Sequence, residues 1–578
     1  MRFWLFSLIF MLCSTSIGQQ AHPFIFSDTI RVDHRIGGSL DSIDLMFKYS
    51  SSTIPGGVGN GYYDNLFTTD WLRSSPNGQR FFSFNKWGAY RYSGIPHIGF
   101  AYSFGSQGTQ LVGAQYEQGF KGNVMLNIDF EKKRSNGYLR NTNFDHNDVR
   151  LKLFKRGNCY SFDLRGSFEK STVSHNGGVA QDSLADEFPL IFIPVNKDVS
   201  ELNTQRSRLE LVNYFDFLKD TNRAVGVFTS HDLKIKKYRY LESGDLSGFY
   251  PVINYDSSYT YDQHQWSQVG NGAGLFLKNG GHYLSAGVST QFWNFQNLGS
   301  YTDTVEIDLD GKYQFIGKRV SLNEDLSLNL VGSEQEMTSD LHLRYNAGRF
   351  KLSSNVFYQN LLPEYYQRFG TGNNYFPAQN ISKQQLLYID ACAKYSVKKQ
   401  EVKIGYEYST AKDNYWFIDS LWRNDTLNDL SFQSTKLGGD LKLGHWTFQP
   451  EYKLTINDQD LKIVPAHQLR IRIFVKGGLF KAKRMIAYGG ADLSVHSSYS
   501  RIGMNAVNST YSLNEVSLSN NGWSNAHVFG GFQIEEFKFY FRVENIGYFW
   551  NDPNLQVMNG FPIPSTQFRL GLTWDFFN

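Results

Sequence analysis

The chain has 578 residues, with 57 basic against 54 acidic side chains, and 16% of its residues are aromatic. The near-balance of charge excludes the basic domain expected of a nucleic-acid-binding protein. Beyond the N-terminus, no stretch approaches the roughly 18 uncharged apolar residues that a membrane-spanning helix requires.

The first 18 residues read as a secretory signal. Arg2 supplies the positive start, Phe3 to Leu12 the short apolar core, and Ser16 and Gly18 a small-x-small pattern that predicts cleavage between Gly18 and Gln19. Cys13 follows Phe10, Met11 and Leu12, not the small residue that lipid attachment wants. Cleavage leaves Cys159 and Cys392, too few to staple a chain of this size. Parity puts both on one face of distant strands, so they are expected to stay unpaired. Residues 19–97 form an N-terminal segment with a glycine-rich loop (Gly56, Gly57, Gly59, Gly61) and crowded aromatics from Tyr62 to Trp87. The loop lacks the lysine and following helix of a phosphate-binding loop.

Residues 98–578 alternate with period two. Val124, Leu126, Ile128 and Phe130 alternate with Met125, Asn127, Asp129 and Glu131. Phe162 and Leu164 alternate with Asp163 and Arg165; Val402, Ile404 and Tyr406 with Lys403, Gly405 and Glu407. Leu469, Ile471 and Ile473 alternate with Arg470 and Arg472, and Phe537, Phe539 and Phe541 with Lys538 and Arg542. Each such strand has one apolar and one polar face. A secreted β-sandwich also alternates. Three features favour a barrel in a membrane: strands of about nine to twelve residues, aromatics near strand ends such as Trp446 and Tyr452, and connections that alternate short and long. Tight turns are expected at Gly157-Asn158, Asn279-Gly280, Gly444-His445, Gly477-Gly478 and Glu535-Glu536; long loops are expected at Ser171 to Gln205, Pro363 to Lys383 and Ser494 to Ser524. The layout predicts an all-β, transmembrane, antiparallel up-and-down barrel of about 22 strands, an even number between about 18 and 26.

The last strand carries Phe568, Leu570, Leu572, Trp574 and Phe576 on one face, with Arg569, Thr573 and Asp575 between them and Phe577 next to the end. An aromatic closing strand of this kind resembles the insertion signal read by the outer-membrane barrel assembly machinery. Pro96-His97-Ile98, the run Asn123 to Phe130, Ser135 to Asn141 and Asn176-Gly177-Gly178-Val179 resemble landmarks of the putative porin family of large outer-membrane barrels. Gln110 departs from the acidic residue expected there. The resemblance implies a channel in the outer membrane of a Gram-negative-type cell envelope. It transfers no active site. Residues 19–97 are too short for the plug domain of an energy-coupled receptor. They cap the periplasmic mouth or tuck into the lumen, and sequence leaves both open.

No metalloprotease, Walker or paired-cysteine motif appears, so no enzyme, metal or cofactor is expected. The polar face carries the function. Its candidate lumen residues are Asn127, Asp129, Asp163, Arg165, Lys403, Glu407, Arg470, Arg472, Lys538, Arg542, Arg569 and Asp575. The wall carries both signs of charge, as a weakly selective pore would. Arg470, Arg472 and Lys476, with Lys481, Lys483 and Arg484 beyond, make the one dense basic stretch. The expected function is passive or weakly selective diffusion of small polar solutes through a water-filled barrel. The alternative is a structural or adhesive barrel whose long outer loops bind a partner. Expected partners are outer-membrane lipid and lipopolysaccharide, the assembly machinery and small polar solutes, with no nucleic acid.

Overall fold

The computed structural model describes residues 90–578 apart from 92, 182–186, 221, 298, 334, 380, 419, 425–428, 458–462, 481–483, 508–509 and 578. The predicted signal, its cleavage pair Gly18 and Gln19, and the segment as far as residue 89 lie outside the described residues. So do Lys481 and Lys483 of the basic stretch.

Fifteen consecutive wall strands come first. They are β1 (His97–Gly105), β2 (Thr109–Phe120), β3 (Val124–Ser135), β4 (Phe144–Arg156), β5 (Tyr160–Ser174), β6 (Val199–Lys219), β7 (Arg223–Ser243), β8 (Tyr259–Asn279), β9 (His282–Asn297), β10 (Ser300–Ile316), β11 (Val320–Val331), β12 (Met337–Ala347), β13 (Phe350–Leu361), β14 (Gln384–Val397) and β15 (Gln400–Lys412). A small hairpin, β16 (Trp416–Ile418) with β17 (Leu421–Arg423), interrupts them. The wall resumes with β18 (Leu430–Leu443), β19 (Trp446–Asn457), β20 (His467–Leu479) and β21 (Met485–His496). A second hairpin follows, β22 (Tyr499–Asn505) with β23 (Thr510–Asn520), and then the wall strands β24 (Trp523–Ile534) and β25 (Phe537–Glu544). A third, β26 (Gln556–Met558) with β27 (Phe561–Pro562), precedes the closing strand β28 (Gln567–Phe577).

The wall is one 22-stranded antiparallel sheet. It closes because β1 pairs with β2 on one side and with β28 on the other, with Ile98 opposite Phe576 and Ala101 opposite Thr573. Closure leaves no unpaired edge. An even strand number brings the first and last strands to the same end. Every connection at that end is short: 121–123, 157–159, 220–222, 280–281, 317–319, 348–349, 398–399, 444–445, 480–484 and 535–536. The other end carries the long loops 136–143, 175–198, 244–258, 362–383, 413–429, 458–466, 497–522 and 545–566, with three shorter ones.

Two local expectations change. β6, β7 and β8 each run for 21 residues, beyond the expected nine to twelve, so the long loop after β5 shrinks to 175–198. Gly477 and Gly478 are not a turn. They lie in β20 opposite Ala487 and Ile486. Glycine weakens a strand interior but keeps its ladder hydrogen bonds, and β20 continues to Leu479.

The two faces differ sharply. Large apolar side chains such as Leu275, Phe292, Ile404 and Leu437 are exposed on the outward face, whereas the alternate positions bury charged and polar groups. β8 keeps Gly270, Gly272 and Gly274 on the inward face, where an added Cβ would meet Asp232, Ser230 and Phe228. These glycines therefore allow close packing. Cys392 sits in β14, Cys159 in an exposed turn before β5, and both thiols are free.

The long loops fold onto one another. One apolar cluster joins Tyr138, Ile193, Trp416, Val464, Tyr499 and Met558 from six different loops or loop hairpins. A second joins Leu246, Tyr375, Trp422 and Val507. Backbone hydrogen bonds tie loop to loop: Val179 to Gly560 (2.8 Å), Asn254 to Asn373 (2.8 Å) and Phe376 to Ser420 (2.9 Å). Gly178 has φ +85°, and a Cβ there would lie 2.8 Å from the Gly560 Cα, so this crossing demands glycine. The result is a cap over the long-loop end.

Candidate ligand site

The predicted inner residues fall into separate charged groups. In β3 and β5, Asn127, Asp129, Asp163 and Arg165 gather around Tyr90 and Arg91, which precede β1. The Asn127 amide donates to the Arg91 carbonyl (2.7 Å) and accepts from its N–H (3.0 Å). Arg91 also pairs with Asp129 and Glu117, and the Tyr90 hydroxyl donates to Asp163. Arg165 Nε donates to Asp163 (3.0 Å). The residues just before the first strand thus pack against the inner wall.

A second group lies on β15, β18 and β19. Glu407 takes ion pairs from Lys436 and from Lys453 (3.1 Å), while Lys403 pairs with Asp440 (3.2 Å). A third sits around Asp492, which receives Arg470 (2.6 Å) and Arg472 (3.4 Å). Beside it Arg542 and Arg569 both reach Glu544, at 3.5 and 3.4 Å. The basic stretch is therefore partly neutralised. Asp575 meets His97 (3.3 Å) at the seam, where Phe577 stacks on the His97 ring at 4.5 Å. Lys538 lies opposite Thr573. None of the twelve lines the aromatic cavity above β6–β10.

That cavity, of about 410 Å³, lies between the inner wall of β6–β10 and the loop 362–383. Strand pairing builds its floor. Lys234, Gln268 and Trp293 form one row across β7, β8 and β9; Lys236, Trp266 and Phe295 form the next; Tyr238 and His264 begin a third. Period two places all of them on the inward face. Lys236 Nζ sits 4.9 Å from the Trp266 ring centre, a cation–π arrangement.

A short helix, α1 (Tyr365–Phe369), forms the roof. Glu364 and Gln367 cap its first turn reciprocally, which satisfies orphan backbone donors. Tyr365 stacks on Trp293 at 5.2 Å and donates to Glu306 (3.3 Å). Arg368 lies 4.3 Å from the Tyr365 ring centre. Tyr366 meets Trp422 edge-on at 5.7 Å, which ties the roof to the β16–β17 hairpin. Glu336, in the loop 332–336, accepts the Leu362 N–H (2.6 Å). Burial pushes its carboxyl up to about 7, so near neutral pH it sheds much of its charge. Among the described residues no three His, Cys, Asp or Glu side chains converge to hold a metal ion.

Sequence reading passed over this site because it took inner function to be charge. The available signal was aromatic residues at polar-face positions: Trp266 between His264 and Gln268, and Trp293 between Gln291 and Phe295.

The chain is a large closed 22-strand antiparallel barrel with a capped end and an aromatic cavity on its inner wall. The chain belongs to the Putative porin family, whose pattern matches residues 79–578. No curated protein matches it by sequence. Several solved structures share the fold. The copper transporter OprC has a TM-score of 0.59 at 12% identity, covering 85% of this chain and 82% of its own. The FrpB iron transporter from Neisseria meningitidis has 0.57 at 10%, covering 84% and 83%. The siderophore receptor PirA from Acinetobacter baumannii has 0.56 at 11%, covering 84% and 81%.

These findings correct the expected function. The barrels of this shape are named as transporters or receptors for particular ligands, not as diffusion pores. The long loops of this chain also pack across the mouth that an open pore would leave clear. Passive, weakly selective diffusion is therefore overturned.

Proposed function

We propose that this chain is a ligand-selective uptake barrel of the outer membrane, which captures a small ligand on the inner wall beneath its loops. The observation that carries this reading is the cavity between the Trp266–Trp293 floor and the α1 roof. Its volume of about 410 Å³ falls in the range of small-molecule sites, which combine apolar walls with a few convergent polar groups. The solved barrels it resembles carry copper, iron or siderophores by name, and selective capture of a small ligand is the common element. The outward apolar face supports a membrane setting, since soluble proteins rarely expose so continuous an apolar surface. In this reading the short turns face the periplasm, the capped end faces outward, and the inner charged groups line the path beyond the cavity. The face from Phe568 to Phe576 meets lipid, and with Phe577 it is the segment the assembly machinery reads.

Accumulation of solutes by cells carrying the chain in their outer membrane tests this. Uptake of the ligand should saturate, and Trp293→Ala should abolish it without changing the amount of folded barrel. Unsaturable uptake graded only by solute size would overturn the proposal.

A further inference from the structure

The unused hydrogen-bonding capacity of the cavity points to the chemistry of its ligand. Four lining groups, Arg368 Nε, Trp293 Nε1, Trp422 Nε1 and His264 Nδ1, are buried without a hydrogen-bond partner among the described residues. The guanidinium and the two indoles are donors that cannot accept, and His264 Nδ1 donates or accepts according to its tautomer. The lining carboxylates are already engaged. Glu306 accepts from Ser333 and Tyr365, Glu336 from the Leu362 N–H, and Glu364 faces Lys236 at 3.8 Å. No carboxylate lies within ion-pair distance of Arg368 among the described residues.

Buried donors left unpaired cost free energy, which a matching acceptor on a ligand recovers. A guanidinium and two indole N–H groups lining one cavity are suited to an anionic oxygen acceptor. The Trp266 and Trp293 rings lie 4.6 Å apart between centres and are tilted by 57°, an aromatic corner that a planar ring can pack against. From this we infer that the cavity takes a ring-bearing organic anion, held by Arg368 and the two indoles at its acidic group and by Trp266 and Trp293 at its ring. The inference rests on the proposed function and names the ligand class for the same site.

Titration of the purified full chain in detergent, read by its tryptophan emission, tests it. The probes are 2-naphthoate, neutral 2-naphthamide, cationic 2-naphthylmethylamine and methyl glucoside. Naphthoate should quench saturably and bind at least about tenfold more tightly than the amide, the difference expected of a charge-assisted hydrogen bond. Arg368→Gln should remove that preference and leave amide binding unchanged, and Arg368→Lys should retain part of it. Arg140→Gln, an exposed arginine on another loop, should have no effect. Retained heat-resistant gel mobility shows that each variant is folded. Equal or tighter binding of the amide, the amine or the glucoside overturns the anion class while leaving a ligand-binding barrel in place. Failure of every probe to bind overturns the anion class too. The uptake barrel itself falls only if uptake proves unsaturable and graded by solute size.

Discussion

Arginine placed on the outward face of β28 tests the membrane setting by depth. Leu572 lies five residues from the Phe577 end of the strand and pairs with Tyr102 and Phe539. At about 3.3 Å per residue and a tilt of roughly 40°, it sits about 13 Å above that end, near the middle of an apolar band ~25 Å tall. Leu572→Arg should therefore cost about 2–4 kcal/mol, whereas Phe576→Arg, on the same face but one residue from the end, should cost about 0–1 kcal/mol. The inward Thr573 is no neutral control, because it is only 3% exposed and faces Lys538 across the ladder. Urea unfolding of barrels inserted in phosphatidylcholine vesicles, followed by tryptophan emission, measures both. Equal costs at Leu572 and Phe576 would refute the assignment of the outward face to lipid.

Further perturbations address the cap and the seam. Gly178→Val puts a branched side chain at positive φ and against Gly560, a strain of about 1–3 kcal/mol; loops 175–198 and 545–566 should exchange amide hydrogens faster while the wall strands stay protected. Burial in the cap, with Lys197 nearby, holds His175 down at about 3. Its unfolded value is higher, so an opened cap binds the proton first. The stability that neutral His175 contributes is present above about pH 6.5 and is lost as pH falls toward 3. Protection factors in loop 175–198, taken relative to intrinsic exchange at each pH, should fall between pH 7 and 5, and His175→Gln should flatten that dependence. Deleting Phe576 to the C-terminus removes the Phe577 stack on His97 and two β1–β28 pairings; quantitative membrane fractionation should show less barrel delivered, and the remainder should unfold at lower urea.

The wall was legible because a strand's period of two writes both faces directly into sequence. Val402, Ile404 and Tyr406 against Lys403 and Glu407 needed no other information, and hairpin turns such as Gly444-His445 fixed the rhythm. The count of 22 followed from that rhythm. Gly477-Gly478 misled because the same dipeptide serves a turn or a strand interior, and only the continued pairing with Ile486 and Ala487 decides between them. The cap was not legible. Its clusters join residues as distant in sequence as Tyr138 and Ile563, and no local period records such contacts. The cavity depends on the same long-range docking, since Tyr365, with Arg368 packed on its ring, reaches Trp293 only once loop 362–383 folds inward.

Swelling of liposomes that contain the purified chain, exposed to neutral sugars of graded size, tests ligand-selective uptake most directly. With the cap closed, swelling should match that of protein-free vesicles for every sugar. Swelling that falls smoothly with sugar size would show an open diffusion pore and contradict the account.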